Sequence, residues 1–478
     1  MSAPTIEVRN LIAGDWVGQP EVDRRNPADP SDVVSLTTKG DQGTVADAVA
    51  AGVDAQRSWG RLPGPERGRI LLDAAQLLRA REDEIARDLT REEGKTWAES
   101  LGEVRRAADV LTFFGGEGWR MAGTLHPASA PDTHIYTRKE PLGVVAAITP
   151  WNFPIAIPTW KIAPALVAGN SVVLKPASLT PVSTQHLAKA LIDAGLPAGV
   201  LSLVHGSGAV IGDAIVEHPD VAAVSFTGST AVGLGIHAKT SARRARVQLE
   251  MGGKNAMVVL DDADPQKAAK VAALGGFSLT GQACTATSRL ICTPGILDAV
   301  TEALVEEAKD FRPGNGLDQS IRMGPVVSES QLATDQEYLE IARQEGAEIV
   351  TGGEEPDGLL QPAAVVRGVN RSHRIAQEEV FGPVISVMPA SDLDEALDIS
   401  NDVQFGLTAS IVTNDLGAAH HFLERAEAGV VKVNRPNSGL DLNVPFGGIK
   451  DSSSNTFREQ GSGAVDFYTW VKSVYMGY

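Results

Sequence analysis

Short apolar runs that alternate with helical stretches from Pro141 onward constrain the fold of this chain more than any other feature. A helical stretch lies at 183–194, and the apolar runs cover residues 144–148, 171–174, 200–204 and 221–226. Continuous apolar strands separated by helices are typical of a parallel sheet that is covered on both faces. The sequence therefore predicts an α/β fold whose ligand site lies beyond the carboxyl ends of these strands.

A second α/β series begins after Gly253, with a strand-like apolar run at 256–260. The next helix is predicted over 264–279, because the acidic cap and the proline that follows it form a typical start signal. Cys284 comes just after this helix, in a turn of small residues.

The remaining segments are a strand-and-turn pattern over the first forty residues, which includes 11–17, a helical region from Gly43 to about Glu117, and an aromatic- and valine-rich stretch at 465–475. The last of these has no covering helix after it, so we interpret it as a strand that must pair with an edge. The segment 133–139 is the predicted partner.

The composition narrows the class of protein further. At 478 residues the chain is too long for one hydrophobic core, so two or more domains are expected. A net charge of -18 argues against binding to nucleic acid or to an anionic membrane surface. No apolar run reaches the ~18 residues that span a bilayer. Two cysteines cannot build a disulfide framework, so a cytoplasmic location is expected, and the nine scattered histidines predict no metal site.

Three polar residues in tight turns are candidates for chemistry. The thiol of Cys284 and the carboxylate of Glu250 each lie among small residues, which suggests a nucleophile and its base. Asn152 adds an amide donor in a turn flanked by prolines. Taken singly, these residues are equally compatible with a surface cysteine, a solvated carboxylate and an ordinary turn. Cys292 lies in an apolar run and is predicted to be a buried strand thiol.

Ordered motifs along the chain separate these alternatives. They lie at residues 149–154, 226–230, 250–254, 281–284, 379–383, 401–407 and 445–450. Together they resemble the aldehyde dehydrogenase superfamily over essentially the whole chain. The resemblance implies the α/β fold of that superfamily, with a Rossmann-like cofactor domain, an α/β catalytic domain and a small β oligomerisation arm.

The resemblance also implies domain boundaries and a homodimer or homotetramer. On this chain the cofactor-binding domain covers residues 1–118 and 142–252, and the catalytic domain covers 253–450. The oligomerisation arm covers 119–141 and 460–478.

The chemistry implied by the resemblance is NAD- or NADP-dependent oxidation of an aldehyde to a carboxylate. Cys284 attacks the aldehyde, and the side-chain amide of Asn152 and the backbone N–H of Cys284 hold the oxyanion. After hydride leaves for the nicotinamide, Glu250 activates the water that hydrolyses the thioester.

The cofactor residues are predicted partly from residue patterns and partly from the resemblance. The strand-to-helix turn at 226–229 can present backbone N–H groups to a pyrophosphate, although a plain turn has the same pattern. A loose glycine pattern includes Gly208. A serine at position 178, where NAD-preferring relatives often have glutamate, predicts that NADP is accepted, although Ser178 could also be a simple turn cap. The predicted cofactor-binding residues are Thr149, Trp151, Lys175, Ser178, Gly208, Phe226, Gly228, Ser229, Glu379 and Phe381.

The predicted substrate residues are Phe153, Trp160 and Phe446. Relatives that act on succinic semialdehyde commonly carry arginines where this chain has Trp160 and Ser278. The segment 433–446 is similar to α-ketoglutaric semialdehyde dehydrogenases, whereas 450–457 departs from their usual glycine pattern. Two hypotheses therefore stay open, a semialdehyde substrate or an apolar or aromatic aldehyde. Arg435 is a candidate charge for a carboxylated substrate, or a solvated side chain.

Three other classes of protein are considered. A non-catalytic member of the fold is expected to lose Cys284, Glu250 or Asn152, and this chain keeps all three. A dehydrogenase that transfers the acyl group to CoA is disfavoured by Glu250 at the water-activating position. A phosphorylating relative, which uses phosphate, is distinguished from the other classes by an activity assay with and without phosphate.

Overall fold

The computed structural model describes residues 4–478. Short strands open this part of the chain. They are β1 (Ile6–Val8), β2 (Asn10–Ile12), β3 (Asp15–Val17), β4 (Pro20–Asn26) and β5 (Asp29–Thr38). The strand-and-turn pattern predicted for this region is confirmed, and within 11–17 the chain turns between β2 and β3 at Ala13 (φ 53°) and Gly14 (φ 92°). The two strands form an antiparallel hairpin.

Helices fill the region that was predicted to be helical from Gly43 to about Glu117. They are α1 (Gln42–Trp59), α2 (Gly64–Ala80), α3 (Glu82–Glu93) and α4 (Trp97–Glu117). At the start of α4, Thr96 and Glu99 form a capping box, in which each side chain accepts a backbone N–H of the other residue. Leu71 of α2 and Leu111 of α4 are fully buried in the same hydrophobic core.

The predicted parallel sheet is confirmed. Its elements, and the short strand that precedes them, are β6 (Leu125–His126), β7 (Thr133–Pro141), β8 (Val144–Ile148), α5 (Ala156–Ala168), β9 (Ser171–Lys175), α6 (Pro181–Asp193), β10 (Leu201–Leu203), α7 (Asp213–Glu217), β11 (Val221–Thr227), α8 (Thr230–Ala242) and β12 (Arg246–Glu250). The strand order is β12-β11-β8-β9-β10-β2-β3. The parallel register pairs Ile148 with Lys175 and Thr227 with Glu250. The carboxyl ends of these strands therefore meet at one edge of the sheet.

A second sheet, of order β15-β16-β17-β14-β13-β19-β20, forms from the following segment. Its elements and neighbours are β13 (Ala256–Val259), α9 (Pro265–Gly276), β14 (Arg289–Cys292), α10 (Leu297–Ala308), α11 (Glu329–Gln344), β15 (Glu348–Thr351), β16 (Ala364–Arg367), α12 (Arg374–Gln377), β17 (Val384–Pro389), α13 (Leu393–Asn401), β18 (Phe405–Gly406), β19 (Thr408–Val412), α14 (Leu416–Arg425), β20 (Val430–Val433) and β21 (Ile449–Lys450). The helix predicted over 264–279 ends earlier, at Gly276, and a short 3₁₀ turn covers Ser278–Gly281. Cys292 is fully buried in β14, as predicted.

The last strand, β22 (Thr469–Gly477), pairs antiparallel with β7 over the whole length of both strands. This is the pairing that the sequence predicts between the C-terminal stretch and residues 133–139. The predicted start at Val465 is wrong, because Ser462–Tyr468 forms a 3₁₀ helix that buries Phe467 and Tyr468 in the first core.

Across residues 4–478, none of the helices combines the length and the apolar character that crossing a membrane requires.

Candidate active site

Two cavities meet at the thiol of Cys284. The first, here called the thiol pocket, has a volume of about 240 Å³ and is also lined by Trp151, Glu379 and Phe381. The second, the entrance cavity, has a volume of about 370 Å³ and is mainly apolar in its lining. A third, the sheet-edge cleft, has a volume of about 630 Å³ and continues from the thiol pocket along the carboxyl ends of the first sheet. Cys284 is therefore reachable from two sides.

A strained turn presents Cys284. Leu279 (φ 56°) and Thr280 (φ 57°) both adopt left-handed backbone conformations, which cost non-glycine residues of order 1–3 kcal/mol each. Gly281 (φ 66°) completes the turn, and a Cβ there would lie 2.1 Å from the carbonyl oxygen of Gly382. After the turn, Asn255 Nδ2 donates to the carbonyl of Cys284 at 2.8 Å. This hydrogen bond fixes the backbone beside the sulfur.

The electrostatics of Cys284 favour the neutral thiol. Burial raises its pKa, and the nearby carboxylates of Glu379 and Glu250 raise it further. Because the thiolate is the nucleophilic form, these surroundings favour the less reactive form of the sulfur.

The amide of Asn152 points toward the same turn. Its Nδ2 donates to the carbonyl oxygen of Gln282 at 2.9 Å, which leaves the second N–H of the amide for another acceptor. The backbone carbonyl of Asn152 accepts a hydrogen bond from Lys95 Nζ. Lys95 is buried and pairs with Glu103 at 2.7 Å, and Glu103 also accepts the backbone N–H of Ile155 at 3.0 Å. A buried ion pair thus holds the turn that carries Asn152.

Glu250 ends β12 and is buried. Burial raises the pKa of its carboxyl well above the usual value, and the charge of Glu459 raises it further. Lys161, which is buried and bonded to Glu459, acts in the opposite direction. Within residues 4–478, neither oxygen of Glu250 accepts a hydrogen bond from another side chain. Such a carboxylate is a stronger base than a solvated one.

The sheet-edge cleft brings together most of the predicted cofactor residues. Burial lowers the pKa of Lys175 to about 8. The Thr149 and Thr227 hydroxyls are buried in this lining and lack hydrogen-bond partners among residues 4–478. Unpaired buried donors facing a cleft indicate a polar ligand. The cleft lining contains Thr149, Trp151, Lys175, Gly208, Phe226, Gly228 and Ser229.

Ser178 differs from the other predicted cofactor residues. Its side chain is exposed, and its hydroxyl donates to the carbonyl of Gly206 at 3.3 Å. The cleft lining near it consists of Ala177 and Lys175 instead. Ser178 therefore lies at the rim of the sheet-edge cleft.

Glu379 and Phe381, two of the predicted cofactor-binding residues, lie in the lining of the thiol pocket. Glu379 Oε1 accepts the backbone N–H of Gly253 at 2.9 Å, and burial raises the pKa of its carboxyl to about 7. Phe381 packs edge-on against Trp151, with 5.4 Å between the ring centroids. The two aromatic rings form one wall of the pocket.

The three predicted substrate residues, Phe153, Trp160 and Phe446, all line the entrance cavity. Trp160 and Phe446 lie with their ring centroids 6.0 Å apart. Ile157 and Leu440 add further apolar surface. The predicted aromatic lining around the thiol is therefore present.

Sequence reasoning missed the contribution of α4 to the entrance cavity. Glu99, Gly102, Glu103 and Arg106 line it, and their spacing places them on one face of the helix. The sequence predicts a helical region here, but nothing in the sequence indicates which face of the helix meets the thiol. Arg435, the charge that the sequence offered for a carboxylate, is exposed at the surface.

A separate group of possible metal ligands lies on α3 and α6. Donor atoms of Glu84, Asp88 and His186 lie within 4.8 Å of one another. Arg81 pairs with Glu84 at 2.9 Å, and Arg91 with Asp88 at 3.5 Å. Two guanidinium groups thus balance the carboxylates, and the group is an ion-pair network.

The chain belongs to the aldehyde dehydrogenase family. The family model, described as the aldehyde dehydrogenase family, matches residues 16–474. Its members are oxidoreductases, and the chain is therefore an aldehyde dehydrogenase.

Similar proteins cover almost the whole chain. The α-ketoglutarate semialdehyde dehydrogenase of Haloferax volcanii is 48% identical, over 98% of this chain and 99% of that protein. The 2,5-dioxopentanoate dehydrogenase of Saccharolobus solfataricus is 46% identical, over 98% and 99%.

Solved structures agree with the fold. Betaine aldehyde dehydrogenase from Staphylococcus aureus in complex with NAD+ superposes with a TM-score of 0.95 at 33% identity, covering 98% of this chain and 95% of that one. An E. coli NADP dependent enzyme gives a TM-score of 0.95 at 34% identity, covering 99% and 98%. The aldehyde dehydrogenase fold predicted from the sequence motifs is therefore confirmed.

Proposed function

We propose that the chain oxidises an aldehyde to a carboxylate with NAD or NADP, using Cys284 as the nucleophile. The observation that carries the proposal is the position of Cys284 in the lining of both the thiol pocket and the entrance cavity. A single thiol can thereby meet an aldehyde from one side and a nicotinamide from the other.

The first step is addition to the carbonyl. The thiol of Cys284 loses its proton to water, its sulfur forms a bond to the aldehyde carbon, and the carbonyl electrons move to oxygen. The free N–H of the Asn152 amide and the backbone N–H of Cys284 donate to this oxyanion. One donor of this kind contributes about 3 kcal/mol to the transition state.

The second step is release of the product. A bound dinucleotide would supply the hydride acceptor, and loss of hydride would leave the substrate on Cys284 as a thioester. Glu250 takes a proton from water as the water oxygen adds to the thioester carbon. The carbon–sulfur bond then breaks, which frees the acid and returns the Cys284 sulfur.

The residues of the sheet-edge cleft fit a dinucleotide. The unpaired hydroxyls of Thr149 and Thr227 and the desolvated ammonium of Lys175 supply donors for ribose and phosphate oxygens. A Cβ at Gly208 would meet no atom within 4 Å, so the cleft stays open there. Glu379 would hold the nicotinamide ribose. Because Ser178 carries no charge, a 2′-phosphate meets no repulsion at the rim, and NADP is accepted as well as NAD.

The proposed substrate is a short semialdehyde such as 2,5-dioxopentanoate, also named α-ketoglutaric semialdehyde. The support is the level of identity to two relatives that carry this activity in their names. Apolar or aromatic aldehydes are the second candidate, because Phe153, Trp160 and Phe446 dominate the entrance cavity.

An absorbance assay for reduced cofactor tests the proposal. Purified protein is mixed with 2,5-dioxopentanoate, succinic semialdehyde, phenylacetaldehyde or pentanal, each with NAD or NADP and with or without CoA or phosphate. We expect turnover that needs neither CoA nor phosphate and is fastest with 2,5-dioxopentanoate. Turnover that depends on CoA or phosphate would contradict the role of Glu250, and a preference for phenylacetaldehyde would favour the second candidate.

The proposal includes the domain organisation, the oligomeric state and the cellular location of the chain. The proposed cofactor-binding domain covers 1–118, of which residues 1–3 lie outside the described residues, and 142–252. The proposed catalytic domain covers 253–450, and the proposed oligomerisation arm covers 119–141 and 460–478. The exposed surface of β22, with Val471 and Tyr475 at 61% and 72% exposure, supports a homodimer or homotetramer. The proposed location is the cytoplasm.

A further inference from the structure

The wall that α4 contributes to the entrance cavity carries a cation. Arg106 lies one helical turn beyond Gly102 on the face that lines the cavity. Its neighbour Arg105 lies on the opposite, exposed side and pairs with Glu82 at 2.7 Å. Two adjacent arginines of one helix therefore have different surroundings.

Arg106 has no carboxylate partner in the described chain. Its hydrogen bond there is donated by Nη2 to the amide oxygen of Gln460 at 2.7 Å. Burial lowers its pKa, and the carboxylates of Asp109 and Asp441 oppose this through space without forming an ion pair. A half-buried guanidinium has five N–H groups to satisfy, so most of its donors remain available to a ligand.

The two carboxylates in the same wall do not neutralise it. Glu103 is engaged by Lys95 at 2.7 Å and by the backbone at the start of α5. Glu99 accepts the backbone N–H of Thr96 at 2.9 Å and that of Leu279 at 2.7 Å. Glu99 and Glu103 therefore stabilise the local backbone, and neither forms an ion pair with Arg106.

Gly102 leaves room between Arg106 and the rest of the cavity. A Cβ at this position would meet no atom within 4 Å. Glycine in the middle of a helix is unfavourable relative to alanine, so its presence here calls for a reason. An open space beside an unpaired cation provides one, since a substrate chain can lie against the helix backbone.

We propose that Arg106 is the specificity-determining residue that binds the distal carboxylate of a short ω-oxo acid whose aldehyde carbon faces Cys284. The inference rests on the proposed function and names the group that recognises the substrate. The apolar rings of Phe153 and Phe446 contact the carbon chain between the two ends. A guanidinium suits this role because its planar donors match both oxygens of a carboxylate.

The test compares Arg106→Met with the matched control Arg105→Met. The kcat/KM values are measured for 2,5-dioxopentanoate, for the neutral pentanal and for the cationic betaine aldehyde. Arg106→Met is expected to lower the value for 2,5-dioxopentanoate by about 10- to 100-fold, the range of a hydrogen bond to a charged group. The value for pentanal should stay the same, and that for betaine aldehyde should rise. Arg106→Lys should restore part of the loss, and Arg105→Met should change none of the three.

Equal loss on all three aldehydes, or no loss on 2,5-dioxopentanoate, would overturn the role of Arg106. Binding of glutarate by calorimetry gives a readout that needs no turnover. Wild-type protein and Arg105→Met should bind this dicarboxylate, and Arg106→Met should not. If glutarate binding depends on Arg106 while 2,5-dioxopentanoate is not oxidised, the carboxylate site stands and the proposed substrate is wrong. If all three proteins bind glutarate equally, the carboxylate site is wrong whatever the substrate.

Discussion

Cys284 and Cys292 carry the same thiol group in different surroundings. Comparing their substitutions therefore shows how the position of the thiol affects turnover and stability. Cys284 borders two cavities, whereas Cys292 is fully buried in β14. Cys284→Ala should abolish aldehyde oxidation and leave dinucleotide binding near normal, because the thiol carries only the covalent step. Cys292→Ala, the matched control, should keep turnover and lose some stability. Steady-state rates and calorimetric titration with NAD measure both effects. Residual turnover above a few per cent in Cys284→Ala would show that another group is the nucleophile.

The raised pKa of Glu250 predicts the pH dependence of turnover. A carboxyl whose pKa is raised keeps its proton to a higher pH than a solvated glutamate does, so its basic form appears only as the pH increases. Hydrolysis of the thioester should therefore speed up as pH rises from the acidic side. The raised pKa of Cys284 acts in the same direction on the addition step. The measurement is kcat against pH for wild type and for Glu250→Gln.

Glu250→Gln should lose the dependence that the base contributes and should stall after the first turnover. Stopped-flow absorbance should show a burst of reduced cofactor equal to the concentration of sites, followed by slow release. Uniform slowing without a burst, with acylation shown to be fast, would point to a different base.

Ser178 tests cofactor preference at the rim of the sheet-edge cleft. Ser178→Glu should shift preference toward NAD, because a carboxylate repels a 2′-phosphate. Two charges some 4 Å apart repel by roughly 4 kcal/mol at an effective dielectric of about 20. Solvent and salt reduce this at an exposed position, so a loss of one or two powers of ten in NADP efficiency is expected. The ratio of kcat/KM for the two cofactors measures it. An unchanged ratio would place Ser178 away from the ribose.

Single residues also show where sequence reasoning stops. Cys284, Glu250 and Asn152 were recognisable because each lies in a short motif, and the structure brings their segments together. The sequence did not reveal which residue raises the pKa of Glu250 or which residue accepts a hydrogen bond from Arg106. Glu459 and Gln460 lie far along the chain from these residues, and only the packing of the whole fold brings them close. Long-range polar contacts of this kind leave no local pattern.

At the scale of elements, α4 also forms one wall of the entrance cavity. Substitutions at Gly102 can distinguish an effect on helix stability from an effect on substrate access. Gly102→Ala should stabilise the helix by about 0.5–1 kcal/mol, because a Cβ there meets no atom within 4 Å. Gly102→Leu should place a bulky side chain in the entrance cavity. The kcat/KM for phenylacetaldehyde should then fall more than that for propanal, while thermal unfolding reports stability. Equal effects on both aldehydes in Gly102→Leu would show that α4 does not limit access.

Element boundaries were predicted well where periodicity was strong and poorly where turns decide. The buried strands β8, β9 and β11 were found from apolar runs, since strands that are buried on both faces have no other signature. The segment at 465–468 was misassigned because Phe467 and Tyr468 are equally suited to a strand and to a buried 3₁₀ turn. The 3₁₀ turn forms because both rings are buried in the hydrophobic core beside the first sheet, and this packing is not visible in the local sequence.

At the scale of the whole molecule, β22 is an edge strand with large exposed side chains. It pairs with β7 on one side, and its other edge is unpaired within residues 4–478. Trp470, Val471 and Tyr475 are 42%, 61% and 72% exposed. An open edge strand with large apolar side chains is a site for pairing or aggregation unless another surface covers it. We expect the covering surface to be a second copy of this chain.

The prediction is that wild-type protein is a dimer or tetramer and that changes on β22 dissociate it. The double variant Val471→Asp, Tyr475→Asp puts like charges on the exposed face of the strand, where they repel their copies across an interface. Leu416→Asp is the matched control, because Leu416 is 74% exposed at the start of α14 and lies outside the arm. Light scattering at micromolar concentration should give a smaller mass for the double variant and an unchanged mass for the control. A well-folded wild-type monomer at this concentration would refute the assembly, since the apolar face of β22 would then be stable in water.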